Sequence, residues 1–164
     1  MTRLMALDVG DARIGVALSD ASGFLASPYT TLHVSRDETQ TWEAIRRLIH
    51  ETEAEGLVIG LPISLDGQIH AQGERVQAFA QRLQRHITIP LTFWDERLST
   101  VEAQRLLAER WHETPGERPN RRRGAGQARS ARRKRAQHGI DALAAAVILQ
   151  EYLDQVASKI GDEQ

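Results

Sequence analysis

Four acidic positions hold the chemistry this sequence could perform. Asp8 ends the apolar run Leu4-Met5-Ala6-Leu7 and is followed by Val9-Gly10. Asp95 and Glu96 close the run Leu91-Thr92-Phe93-Trp94, and Asp141 stands before the apolar stretch from Ala142 to Leu149. Each has an ordinary structural explanation. Aspartate before a glycine is a favoured turn former. Asp95-Glu96 could be the polar approach to a capping box, Ser99-x-x-Glu102, and Asp141 a favourable charge near a helix start. Together, however, two strand ends and one helix can bring three carboxylates to one place, where they repel unless a cation lies between them. Neighbouring strand residues point to opposite faces, so only one of Asp95 and Glu96 is expected to share a face with Asp8. A ligand set of carboxylate oxygens selects a hard ion such as Mg²⁺ or Mn²⁺. Two such ions, about 3.5–4 Å apart, can activate water and stabilise the leaving oxygen in phosphodiester hydrolysis.

A second feature points to the same substrate class. The chain has a net charge of −1, but residues 118–135 hold nine of its 21 Arg and Lys and no acid, leaving 12 bases against 22 acids elsewhere. A cationic segment on an otherwise acidic protein suits a polyanion, and arginine forks pair bidentately with phosphate oxygens. Arg121, Arg122, Arg123, Arg132, Arg133 and Lys134 are the candidate nucleic-acid contacts; a merely solvated charge run is the bland alternative. With no cysteine in 164 residues, disulfides, thiolate metal cages and thiol nucleophiles are excluded. No apolar run is long enough to span a bilayer and the first strand starts almost at Met1, so a cytoplasmic protein with no membrane partner is expected.

These groups need elements to hold them. Residues 3–8, about 12–19 and about 24–34 have the pattern of three strands joined by short turns. A helix is expected over 37–55, with Ile45, Leu48 and Ile49 on one face and Gly56 as its cap. A short apolar strand, 57–61, is followed by a helix over about 69–85 with Val76, Phe79, Ala80 and Leu83 as its buried stripe. A fifth strand covers 91–94, and a third helix about 99–112. The last helix is expected from about 132–136 to 157, its apolar face made of Ile140, Leu143, Ala144, Val147, Ile148 and Tyr152. The stretch around 113–135 is rich in Gly, Pro and Arg and is expected to be a mobile basic connector inside a single domain, 1–164. A three-strand meander followed by alternating helix and strand predicts an α/β fold, a mixed five-stranded sheet with helices on both faces. Sites in open α/β sheets form at strand carboxyl ends, where these acids lie.

Four ordered motifs then carry a family resemblance: "ALDVGDARIGVALSD" (6–20), "VIGLPISLDG" (58–67), "WDERLST" (94–100) and "GIDALAAAVILQEYL" (139–153). In this order they resemble the YqgF/RuvX family of the RNase H-like superfamily, a relative of the junction resolvase RuvC. The resemblance implies an RNase H-like fold and a cytoplasmic bacterial nuclease dependent on Mg²⁺ or Mn²⁺. Members are described as Holliday-junction resolvases or as nucleases processing the 5′ end of pre-16S rRNA. Carried over by position, Asp8, Glu96 and Asp141 are the catalytic metal ligands. Asp95 is a secondary candidate, and so is His138, three residues before Asp141 and on its side of a helix. Ser64 and Asp66 are expected at the rim of the cleft. Arg97 is expected as an ion-pair partner of the strand-five acids, with a phosphate contact as the alternative.

Two other readings compete. "DVGDARIGVAL" also resembles the phosphate-binding hairpin of actin/hexokinase-type phosphotransferases, but these use two lobes and the chain has length for one. A non-catalytic nucleic-acid-binding module is the other; retained ligands at Asp8, Glu96 and Asp141 argue against it. With 5% aromatic residues there is little surface for base stacking, so backbone and shape readout is expected of either a structured RNA precursor or branched DNA. Symmetric cutting of a junction would favour a homodimer.

Overall fold

The computed structural model describes residues 2–96, Glu109 and residues 125–162, the last segment with side chains from Gly139 onward. Apart from Glu109, the expected helix over 99–112 lies outside the described residues, as do Arg97, the Ser99/Glu102 box and Arg121, Arg122 and Arg123.

Three strands, β1 (Leu4–Val9), β2 (Arg13–Ser19) and β3 (Ala26–His33), form the expected antiparallel meander. The β1–β2 turn closes through Gly10, whose N–H donates to the Arg13 carbonyl at 2.9 Å. A Cβ on Gly10 would sit 2.9 Å from that same oxygen, so the turn needs glycine. On β3, Pro28 lies opposite Ala17 where the register shifts between Val16 and Ala17. A proline lacking its N–H is tolerated there because β3 is an edge strand.

Helix α1 (Glu38–Thr52) starts at Asp37, whose carboxylate accepts from the Thr39 N–H at 3.0 Å. It ends at Glu53, which adopts the left-handed conformation (φ 55°) in place of the expected Gly56 cap. Gly56 instead opens β4 (Gly56–Leu61), where a Cβ would meet Leu4 Cδ2 at 2.7 Å. Helix α2 (Ala71–Gln84) buries the expected Val76, Phe79, Ala80 and Leu83 and leads to β5 (Leu91–Asp95). The sheet order is β3-β2-β1-β4-β5, with β4 parallel to β1 and β5 parallel to β4.

The last helix, α3 (Ala125–Asp162), differs from expectation in two respects. It begins at Ala125, so part of the stretch expected as connector is helical, and Arg132, Arg133 and Lys134 lie along its backbone. Ala, Gln, Arg and Lys are strong helix formers, and that propensity outweighs the charge density of the segment. Asp141 is therefore well inside the helix, where the dipole of a first turn does not reach. The buried face differs in part: Val147 and Ile148 are buried as expected, but Ala142, Ala145, Ala146, Leu149 and Leu153 are buried too, while Ile140 is 65% exposed. Residues 142–149 are apolar all round, so periodicity could not choose the face.

The strands alternate between two cores. Met5, Leu7, Ile14, Val16, Leu57 and Ile59 pack against Trp42 and Ile45 of α1 and Phe79 and Leu83 of α2. Ala6, Ala17, Val58 and Trp94 pack against Ala145, Ala146, Ile148 and Leu149 of α3. Helices thus cover both faces, as the sequence predicts.

Candidate active site

Asp8 is two residues beyond Ala6 in β1 and on the same face, under α3. Glu96 follows β5 with the parity of Trp94, so it too points to the α3 side. Asp95 has the opposite parity. Of the pair at the end of β5, Glu96 is the one aimed at Asp8.

Two strands separate Asp8 from its companions' backbones, and two glycines close the gaps. Between β1 and β5 lies β4, whose Gly60 has no side chain on this face. The place where its Cβ would be is filled by the Glu96 carboxylate and, at 2.6 Å, by Ile148 Cδ1. On the other flank Asp8 is paired with Gly15 of β2. A Cβ at Gly15 would collide with the carbonyl of Asp141 and come within 3.0 Å of the Ala142 nitrogen. The backbone of α3 can rest directly on β2 only because that position is glycine. Missing side chains at 60 and 15 let Glu96 and Asp141 approach Asp8 from opposite sides.

Electrostatics report the convergence. Burial, then the charge of Asp141, pushes the Asp8 carboxyl up to about 6. Burial, followed by the charges of Asp8, Asp95 and Glu151, pushes Glu96 up to about 7. Neither Asp8 nor Glu96 has a cationic partner among the described residues. Asp141 does: Arg13 donates from Nε to its Oδ2 at 2.7 Å, with side chains 37% and 25% exposed respectively. Other contacts of α3 hold it in place. Trp94 Nε1 donates to Glu151 at 3.3 Å, and Gln150 bonds the Ala26 N–H and the Phe24 carbonyl of the β3 entry.

Among the described residues no group of three or more His, Asp or Glu side chains is arranged to hold a metal ion. The donor set nevertheless fits a hard divalent ion. Asp8 and Glu96 offer oxygen ligands whose mutual repulsion a cation relieves. Asp141 can add its second oxygen while Arg13 keeps the first.

The remaining candidates fall outside this cluster or outside the described side chains. Asp66 accepts from the Gln68 N–H at 2.9 Å and pairs with His70 at 3.3 Å, so it shapes an exposed turn after β4. His138 is on α3, but its side chain is not among those described, nor are those of Arg132, Arg133 and Lys134. Arg13, Gly15 and Gly60 are the positions sequence reasoning missed. A glycine inside a strand pattern marks a close approach by another group, and that signal was available for both. Arg13 had only its parity with Gly15 to mark it.

Comparison with known proteins bears on the family and the fold. A family model described as "RuvX: Holliday junction resolvase" matches residues 2–155. A protein of Thermoanaerobacter pseudethanolicus named "Putative pre-16S rRNA nuclease" is 41% identical over 157 residues, covering 96% of this chain and 99% of the relative. One of the same name from Caldanaerobacter subterraneus is 39% identical over 152 residues, covering 93% and 96%. Among solved structures, T. thermophilus RuvC in complex with a Holliday junction substrate matches with a TM-score of 0.56 at 13% identity, covering 96% of this chain and 97% of that one. At that identity the match speaks for the fold, which is RNase H-like. With the family model spanning nearly the whole chain, this protein belongs to the RuvX family of nucleases.

Proposed function

We propose that the chain is a divalent-metal-dependent nuclease that hydrolyses phosphodiester bonds in structured nucleic acid, with Asp8, Glu96 and Asp141 as its metal-holding carboxylates. The observation that carries this reading is the Asp8–Glu96 pair: two carboxylates turned to the same face of the sheet across Gly60 of β4, each pushed up in pKa, with no cationic partner among the described residues. Such an arrangement costs stability unless an ion is bound. Mg²⁺ or Mn²⁺ would supply polarisation of the scissile phosphate and a lowered pKa for the attacking water. The protein's part is to hold the ligands rigidly. Asp8 is mounted on a central strand, Glu96 is seated over Gly60, and Asp141 is held by α3 and Arg13.

The names of the closely matched relatives favour pre-16S rRNA as the substrate, and the motif resemblance implies processing at its 5′ end. The family description favours a four-way DNA junction as a second reading, which would call for a two-fold pair of chains. The basic stretch 118–135 suits the phosphates of either.

Side-by-side cleavage of a 5′-extended 16S rRNA precursor and a four-way DNA junction, with Mg²⁺, Mn²⁺ or a chelator, tests the proposal. Metal-dependent cleavage of one substrate, abolished by the chelator, is expected. Full activity in chelator would overturn the metal assignment. ATP turnover without cleavage would favour the phosphotransferase reading instead.

A further inference from the structure

We propose that Arg13 is a substrate-binding residue: its Nε holds Asp141 while its two terminal amino groups take the non-bridging oxygens of a nucleic-acid phosphate at the mouth of the site. This inference rests on the nuclease reading above and deepens it.

Three observations carry it. The first is position. β2 runs antiparallel to β1, and Arg13 is its first residue, two before the Gly15 that pairs with Asp8. Arg13 therefore shares the face of the carboxylates and stands just beyond them, at the rim where a phosphate would arrive. Its backbone is fixed there by the Gly10 N–H bond to its carbonyl.

The second is the way the guanidinium is used. An arginine that serves only to neutralise a carboxylate usually does so with two parallel N–H···O bonds. Here one bond, from Nε, reaches Asp141 Oδ2, and no other described residue accepts from Arg13. The Nη donors are left for another planar or tetrahedral oxyanion, and the side chain is 37% exposed. A half-exposed single-bond pair contributes little to stability, so folding alone is a weak reason for it.

The third is charge. A phosphate entering a site lined by Asp8, Glu96 and Asp141 meets three carboxylates. Arg13 is the cation that touches this set among the described residues. A fixed cation at the rim offsets part of that repulsion and can orient the phosphate through two oxygens at once.

The test is a coupling experiment between Arg13 and individual phosphates. Oligonucleotide substrates of the kind the wild type cleaves are made with single methylphosphonate linkages, each neutral, across the cleaved bond. Binding is measured in chelator for the wild type, Arg13→Gln and Arg13→Lys. One linkage next to the cleavage point should weaken wild-type binding at least tenfold and weaken R13Q less than twofold. R13K keeps a cation for Asp141 but has no second arm, so it should also lose most of the coupling, and it serves if R13Q does not fold. A purely structural Arg13 would lower activity in the variants without making any linkage special. Equal losses in wild type and variants at every linkage would overturn this inference and leave the nuclease reading intact. A wild type that neither binds nor cleaves nucleic acid would overturn both.

Discussion

Across one face of the sheet, α1 and α2 meet Met5, Leu7, Ile14, Val16, Leu57 and Ile59 with Trp42, Ile45, Phe79 and Leu83. Across the other, α3 meets the small positions Ala6, Gly15, Ala17 and Gly60, and Val58, with Ala145, Ala146, Ile148 and Leu149 and, at Gly15, with its own backbone. The first face is filled by large side chains and has the composition of an ordinary core. The second is thin, and its smallest positions lie next to the carboxylates. Large side chains hold elements about 10 Å apart and tolerate rearrangement. Small ones bring backbone against backbone, and functional groups on the two elements then have little freedom to drift. Stability and geometry are thus drawn from opposite faces of one sheet.

Substitutions can break that division, and the largest effect should come from the carboxylates. Asp8→Asn should reduce metal-dependent cleavage by roughly a thousandfold or more while leaving binding of the nucleic acid nearly unchanged. Gel-shift and cleavage assays on the same preparation check this, and full activity would remove Asp8 from the site. Next come the glycines against the bulk core. Gly60→Ala pushes a methyl into the Glu96 carboxylate and should cost about 1–3 kcal/mol together with most of the activity. Leu83→Ala, on the other face, should cost about 2–5 kcal/mol yet leave the rate per folded molecule unchanged. Denaturant melts paired with kinetics test both; a catalytically silent G60A would show that the thin face does not set the site.

A smaller effect concerns pH. The Asp8 and Glu96 carboxyls are raised to about 6 and about 7, above their ordinary values of 3.8 and 4.5. Between those values the folded chain binds more protons than the unfolded one, so metal-free stability should fall as pH rises from about 4 to about 7 and level off above. Asp8→Asn should flatten that slope, and added Mg²⁺ or Mn²⁺ should raise the wild-type Tm at pH 7.5 more than that of the variant. A wild-type Tm that climbs through this window would contradict the pairing. Least of all should Asp95→Asn matter: pointing to the opposite face from Glu96, it should change kcat less than about threefold.

Much of this was readable in the sequence, for physical reasons that can be named. The meander, the β-α-β order and the α2 stripe follow from periodicities of two and 3.6. Asp8, Glu96 and Asp141 were marked by their places at strand ends and beside an apolar helix, and the motif resemblance separated Glu96 from Asp95. Other features depended on tertiary context. The α3 face could be read only in part from residues 142–149, Val147 and Ile148 correctly, because alanine, valine, isoleucine and leucine occupy every side of that helix. Glu53 took the left-handed cap where Gly56 was expected, because Gly56 is needed against Leu4. Arg13 was invisible because its partner, Asp141, is 128 positions away.

That separation bears on the order in which the molecule comes together. The β1–β2–β3 meander is built from near neighbours and can close early, whereas contacts that span most of a chain form late. Asp141 reaches Asp8 and Arg13 only after α3, the final helix, has laid itself across β2. An emerging chain would have a sheet, and even Asp8 in place, well before it could cut anything. With Asp141 as a ligand, as proposed above, competence for catalysis is the last property this fold acquires.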